Sequence, residues 1–534
     1  MKIFKNISFA IIAVILFFAI AEGMSRIFIF PGSYDFIERR AIEQNLPQHK
    51  GKDEFRIQLY GESTMHGCAL YPYSTIDKWI RLYIKDLLPE KIAKRVTVTN
   101  FARLGSSSAF TTSAFIETTP YRPDLAVFYM AHNDFAQVVN RRPRPAHKPL
   151  KETIEDFTES LPKHSSFCNV INGLIIRAKI AINMRLDKRS GEADSWYADE
   201  DDAPRIAASD LLYPGSPQFN TILKNFEDNV EKVISAAKAR SIPVVFLEGV
   251  SRWRGFGLGM PMHDPSLKSA ALEEWNKNFT GAEAIFSEGR YPDAIKLYNK
   301  CIELDPFYAM TYYRIAECHE GLREFGEANE FYVLANDRDC FPIRGPSAVN
   351  RFYESLRASH MQGVYIIKTQ SLFEKQSPNG IVDGTLISDQ VHPTIKGQAL
   401  IALMIVKIIY DNDLLASKGQ WRWDRLRTVE EMQKDLGLDK EAEFRINLAS
   451  ANYVKRYYPK ALEFLENALA LEPGSIFAKS WLAWTYWKAG DKNKALGLYR
   501  QLDKDVPAAA AKFFERHPEI KKEMQPAATL MPQL

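Results

Sequence analysis

Five short apolar runs, rich in β-branched and aromatic residues, recur along the chain: Phe55 to Tyr60, Val96 to Thr99, Leu125 to Met130, Val244 to Leu247 and Val364 to Ile367. Continuous apolarity, as in Leu125 to Met130 and Val244 to Leu247, marks a strand covered on both faces, and helical spacing fills the stretches between the runs. Trp79, Ile80, Tyr83, Ile84, Leu87 and Leu88 fall at helical intervals; further helices are expected from Asn225 to Arg240 and from Ala399 to Tyr410. Strand and helix in alternation predict an α/β fold, a three-layer α/β/α sandwich around a five-stranded parallel sheet. Loops at the C-terminal ends of such strands are where function gathers.

Between the fourth and fifth runs the pattern changes. Tyr291-Pro292-Asp293-Ala294 opens a helix that ends at Leu304-Asp305-Pro306, and Tyr458-Pro459-Lys460-Ala461 opens another that ends at Leu471-Glu472-Pro473. Counting 34 residues on from Ala294 reaches Ala328, and 34 on from Ala461 reaches Ala495. Small residues recur at Ala282, Ala316, Ala449 and Ala483, where paired helices must approach closely, and Tyr298, Tyr332 and Tyr499 fill a matching large position. This periodicity resembles tetratricopeptide repeats, one pair at 275–341 inside the α/β domain and another at 442–508 after it. The resemblance implies a concave face for a peptide or protein partner. Two repeats fall short of the three or so that stand alone, so each pair is expected to pack on the other or on the α/β domain. Trp481, Trp484 and Trp487 belong to the same pattern, as packing or groove-lining residues.

The N-terminus adds a location. Lys2 and Lys5 precede an uncharged run from Ile7 to Ala21; Glu22 and Arg26 interrupt it, and Ile27-Phe28-Ile29-Phe30 resumes up to Pro31. Ala19-Ile20-Ala21 suits signal cleavage, whereas the resumed run suits a longer, uncleaved transmembrane helix over residues 1–31, which is the expectation. With lysines ahead of the apolar run, the remainder is expected outside the cytoplasm, in a periplasm or cell envelope. A net charge of +3, from 69 basic and 66 acidic residues in 534, gives no case for nucleic-acid binding. Five widely spaced cysteines, Cys68, Cys168, Cys301, Cys318 and Cys340, imply neither a disulfide framework nor a zinc site, and Cys68 is expected to be a small buried side chain.

Candidate chemistry starts at Gly61-Glu62-Ser63-Thr64, directly after the first run. A serine there sits on a strand-to-helix turn, either as a helix cap or as an exposed nucleophile. Three later segments supply what a nucleophile would need. Asp389-Gln390-Val391-His392-Pro393 sets a carboxylate three residues before an imidazole, so that a tight turn lets Asp389 orient His392 and His392 take the Ser63 proton. Asn100 to Ser108 follows the second strand and places the Gly105 N–H at its end, and the third strand delivers Ala131-His132-Asn133-Asp134. The Asn133 amide, with the N–H groups of Gly105 and Ser63, can donate to a developing oxyanion.

These four blocks, in this order, resemble the SGNH or GDSL-type hydrolase superfamily, over residues 50–255 and 345–415. The resemblance implies Ser63 as nucleophile, Gly105 and Asn133 as oxyanion donors, and Asp389 with His392 as the acid and base of the triad. Glu62 stands where the family motif has Asp, and Ala131 where the third block usually has Gly. The expected activity is hydrolysis of ester bonds, acyl or O-acetyl esters of a small molecule, lipid or glycan, with no metal or organic cofactor. A polysaccharide O-acetyltransferase using the same site, and a non-catalytic repeat scaffold, are the alternatives. Arg141 to Lys148 follows the Asn133 loop as a basic segment, and Asp199 to Asp202 reads as an acidic loop rather than a calcium site. His66 and His132 are expected to be structural or substrate-lining, and His263-Asp264 and His517-Pro518 lack an Asp three residues ahead.

Overall fold

The computed structural model describes residues 36–139, 211–455 and 457–507. The chain divides into two compact units, a smaller one of residues 1–51, 117–122 and 140–205 and a larger one of residues 52–116, 123–139 and 206–534. In the smaller unit the described residues are 36–51, which include the helix Phe36–Glu43, and 117–122. Its proposed membrane segment 1–31, the basic segment 141–148, Cys168 and the acidic segment 199–202 lie outside the described residues, as does His517. No helix among the described residues is long and apolar enough to cross a membrane.

The larger unit is built on a parallel sheet of β1 Phe55–Gly61, β2 Val96–Asn100, β3 Leu125–Tyr129, β4 Val244–Leu247 and β5 Val364–Ile367, in the order β2-β1-β3-β4-β5. All five sequence runs are strands, and every pairing is parallel. Apolarity on both faces has a visible cause. Ile57, Leu59, Val98, Val127, Val245 and Leu247 pack against the helices Ile76–Leu87 and Ile395–Asp411. On the opposite face Tyr60, Phe128 and Phe246, neighbours in register, stack with ring centroids 5.1 and 5.0 Å apart. Tyr353, on the helix Ser347–Ala358, extends that row at 5.8 Å, and Phe226, on the helix Pro217–Lys238, meets Tyr353 edge-on. Helices on both faces make this the three-layer arrangement. The order in which strands are added reverses at β1, with β2 on one side and β3 on the other, and such a switch point leaves a crevice at the C-terminal edge of the sheet.

After β4 the chain leaves the sheet for four helices, Ser269–Ser287, Tyr291–Leu304, Ala309–Gly321 and Phe325–Asp337, and returns to form β5. The neck of this excursion is tied by the buried Asp339 carboxylate, which accepts from the N–H groups of Gly259, Met260 and Phe341 at 2.6, 2.7 and 3.1 Å. A second set, Lys440–Tyr453, Tyr458–Leu471, Ile476–Lys488 and Lys492–Asp505, follows the sheet domain. Ala282, Ala294, Ala316, Ala328, Ala461, Ala483 and Ala495 are all fully buried, as close helix approach requires; Tyr298, Tyr332 and Tyr499 fill the large position, and Leu465 takes the fourth. Ala449 departs from the pattern: it is half-buried, while its neighbours Ser450 and Ala451 are buried instead. The reason is that its helix packs on two partners, the next repeat helix and the sheet domain at Cys68–Leu70.

Both helical sets lean on the sheet domain. Tyr312, Tyr313 and Tyr332 cluster with Trp253 and Ile381, and the Asn329 amide donates to Glu374 at 3.0 Å. The chain leading to the second set is held by Arg427, whose guanidinium makes paired bonds to Asp86 at 2.8 and 3.0 Å. Beyond it, Val454 and Ala461 pack on Phe256, whose ring lies 4.7 Å from that of Tyr457.

Candidate active site

Ser63 opens a one-turn helix, Ser63–His66, directly after β1; the long helix expected behind it starts only at Ile76. Glu62, not Ser63, is the residue ahead of that turn, and it makes no side-chain cap bond. The serine hydroxyl is therefore not a helix cap. Sharp entry into the turn depends on Gly61, where an added Cβ would lie 2.2 Å from the Tyr129 carbonyl oxygen. Asn100, at the end of β2, holds the turn from below through its amide, which donates to the Met65 carbonyl at 3.0 Å.

Ser63 Oγ lies 2.8 Å from His392 Nε2, across 329 positions of sequence, and His392 Nδ1 lies 2.6 Å from Asp389 Oδ2. A carboxylate only accepts, so the imidazole proton sits on Nδ1 and Nε2 turns its lone pair to the serine hydroxyl. The three-residue spacing of Asp389 and His392 works through a tight turn: the other carboxylate oxygen accepts from the N–H groups of Val391 and His392, both at 2.8 Å. The loop is closed at its base by Ser388 N–H on the His392 carbonyl at 2.9 Å and by Arg252 N–H on the Gln390 carbonyl at 2.9 Å. Burial opposes the charged imidazole, yet the Asp389 carboxylate, helped by the neighbouring Cys68, outweighs it and holds His392 well above its ordinary value. Burial likewise works to raise Asp389, but His392 and the two N–H donors leave it below the usual carboxylate range.

Asn133 and Gly105 lie on loops tied to the end of β1, next to Ser63 in the chain. The Asn133 amide donates to the Ser106 carbonyl at 3.0 Å, and Gly105 sits in the turn after β2 with φ +67°. That turn is fastened to the end of β1 by the Arg103 N–H, 3.0 Å from the Gly61 carbonyl oxygen. Asp134 completes the link by accepting from the Ser108 N–H at 2.9 Å and hydroxyl at 2.6 Å. All four sequence blocks thus meet at one edge of the sheet.

Glu62 does more than its non-catalytic position suggested. Its carboxylate is fully buried and accepts from the N–H groups of Ala131, His132 and Asn133 at 2.5, 2.9 and 2.8 Å. Burial and the Asp134 charge push it up to about 7 against the pull of those three donors. Ala131, in place of the family glycine, fits because Gly249 faces it: a Cβ on Gly249 would come within 2.7 Å of the Ala131 methyl. Replacing Glu62 with Ala is expected to strip three donors of their acceptor, at about 1–3 kcal/mol for each one left buried and unpaired. Thermal unfolding measures the loss, and an unchanged Tm would show that the Asn133 loop stands without the carboxylate.

The other histidines and Cys68 fall into place around the trio. His132 Nδ1 accepts from the Gly345 N–H at 2.9 Å, and burial pushes the ring down to about 3, so it is a neutral structural residue. His66 lies against the Tyr71 ring at 4.6 Å, and His263 pairs with Asp305 at 2.7 Å rather than with Asp264. Cys68 corrects an expectation. Rather than being buried, it is half-buried and lines a cavity of about 300 Å³ that opens beside Ser63 and His392. Its left-handed φ of 37°, on the turn after the serine helix, places it at that rim. Among the described residues no group of three or more His, Cys, Asp or Glu side chains is set to hold a metal ion.

No family model matches the chain, and no curated protein does. Among solved structures it is similar to a proposed acylhydrolase from Bacteroides fragilis, at 12% identity and a TM-score of 0.32, over 72% of this chain and 100% of that one. It is also similar to a GDSL-like lipase from Bacteroides thetaiotaomicron, at 12% identity and a TM-score of 0.28, over 70% of this chain and 98% of that one. A thermophilic tetratricopeptide-repeat protein of Thermus thermophilus is similar over 46% of this chain and 99% of its own, at 16% identity and a TM-score of 0.15.

Proposed function

We propose that the chain is a serine ester hydrolase of the SGNH type, exported and anchored by its N-terminal segment, with tetratricopeptide-like pairs that offer a surface to a protein partner. The observation that carries the enzymatic part is the unbroken relay Asp389–His392–Ser63, at 2.6 and 2.8 Å. Lys2, Lys5 and the apolar run behind them support the export and the anchor.

In the mechanism, Ser63 Oγ attacks the ester carbonyl while His392 Nε2 takes its proton. Negative charge then gathers on the former carbonyl oxygen, where the N–H groups of Ser63 and Gly105 and the Asn133 amide donate to it. The bond to the alcohol breaks as His392 returns the proton to the leaving oxygen, which gives the alcohol and an acyl-serine. A water then gives a proton to His392 and attacks the acyl carbon; the proton returns to Ser63 Oγ as the carboxylic acid departs. Asp389 keeps the imidazole in the required tautomer and stabilises its charged form.

A fluorophosphonate probe tests this reading, because it reacts only with a serine whose hydroxyl has been activated. Wild type is expected to label at Ser63, and Ser63→Ala is expected to lose the label. Equal behaviour of the two overturns the enzyme and leaves a scaffold. Product analysis with an acetyl ester, with and without added glycan, separates release to water from transfer to a sugar hydroxyl; acetylated glycan would make the chain an O-acetyltransferase.

A further inference from the structure

The cavity beside Ser63 and His392 has a wall that the catalytic blocks do not supply. Leu70 and Ile395 line it together with Ile446, Ser450 and Phe464, the last three from the second helical set. Ser63 lines it, but neither Gly105 nor Asn133 does, so it lies away from those two oxyanion donors. An ester bound at Ser63 with its carbonyl oxygen toward those donors must extend another substituent into this space. The same helix carries Tyr453, whose ring lies 5.5 Å from the His392 imidazole. The helix Lys440–Tyr453 thus borders both the relay and the cavity.

The chemistry of the wall selects what fits. Its polar groups are largely committed elsewhere: Gln398 accepts from Ser74 at 2.9 Å, Thr394 donates to the Thr385 carbonyl at 2.7 Å, and Lys396 pairs with Glu430 at 3.0 Å. Thr64 Oγ1, buried without a partner, is one hydroxyl, too little to hold a sugar. Beside the Ser450 hydroxyl and the Cys68 thiol, what remains toward the cavity is mainly apolar. At about 30 Å³ for a water-sized group, which is also the bulk of a methylene, the cavity has room for about ten such groups.

We propose that the second helical set is part of the active site, and that Ile446 and Phe464 close an apolar pocket that receives the acyl chain of the ester and limits its length. The substrate class is then a straight-chain acyl ester of roughly four to eight carbons. This rests on the serine-hydrolase reading, and it gives the repeats a role in specificity that does not involve a protein partner.

The test uses the full chain and p-nitrophenyl acetate, butyrate, octanoate and palmitate, with kcat/KM measured for each. Wild type is expected to favour butyrate and octanoate over palmitate. Phe464→Ala, which enlarges the pocket, is expected to raise the palmitate-to-butyrate ratio, and Ile446→Trp, which fills it, to lower the octanoate-to-acetate ratio, each by about tenfold. A variant that merely loosens the fold lowers all esters in proportion and leaves these ratios alone. Ratios that move less than about twofold in both variants, with wild type active and labelled at Ser63, overturn the pocket while the hydrolase stands. A second series with a fixed acetyl group and alkyl alcohols of increasing length supplies the other decisive result: if the variants shift that series instead, the cavity takes the alcohol and the acyl assignment fails. Wild type that neither labels nor turns over any ester overturns the hydrolase reading itself.

Discussion

Replacing Ser63 with Ala is expected to lower kcat on p-nitrophenyl acetate by about 10⁶-fold, and removing His392 in the same chain is expected to cost almost nothing more. The two side chains act as one group. Without the hydroxyl there is no atom for the imidazole to deprotonate, and without the imidazole the hydroxyl keeps its proton and attacks too slowly to count. Any residual rate in the double variant belongs to the oxyanion donors and to binding, which neither substitution touches. Single-turnover kinetics on the two single variants and the double variant check this. Losses that multiply would mean that Ser63 and His392 serve separate steps, and the 2.8 Å contact between them would then be incidental.

The fold was readable because of burial. The central strands β3 and β4 have apolar or aromatic residues facing helices on both sides, so their runs stand out from the chain even at four residues in length, as in Val244–Leu247. The site blocks were readable for a related reason: Ser63, Gly105 and Asn133 each follow a strand end, and the Asp389–His392 spacing closes a turn on its own backbone. The one-turn helix at Ser63 was not, since four residues give no period to detect.

Glu62 was harder still. Its three donors lie 69, 70 and 71 positions away, and nothing in Gly-Glu-Ser-Thr separates a buried latch from an exposed acid. The same holds for the pocket wall. Ile446 and Phe464 look like ordinary positions on amphipathic repeat helices, and their place beside the serine comes from the packing of the helix Lys440–Tyr453 on Cys68–Leu70, far away in sequence. Cys68 misled in the opposite direction: a small apolar side chain near a strand is usually core, and only the turn's left-handed backbone brings it to the rim.

Asp389→Asn is expected to lower kcat by about 10⁴-fold, less than losing the base, while the loop keeps its shape. The asparagine side-chain oxygen still accepts from the N–H groups of Val391 and His392, which hold the turn at 2.8 Å each. Its amide, however, presents N–H groups to Nδ1, which favours the tautomer with the proton on Nε2 and so removes the lone pair that Ser63 needs. The pH profile makes the effect specific. In wild type the Asp389 carboxylate outweighs burial and raises His392 well above its ordinary value, and the base works only when neutral. Wild-type kcat/KM is therefore expected to climb with pH through an inflection above about 6.5, the free imidazole value. With the carboxylate gone, burial disfavours the charge and only the neighbouring Cys68 still favours it, so the residual activity of Asp389→Asn is expected to inflect at lower pH than wild type. A profile that falls in height but keeps its inflection would mean that Asp389 positions the ring without governing its charge.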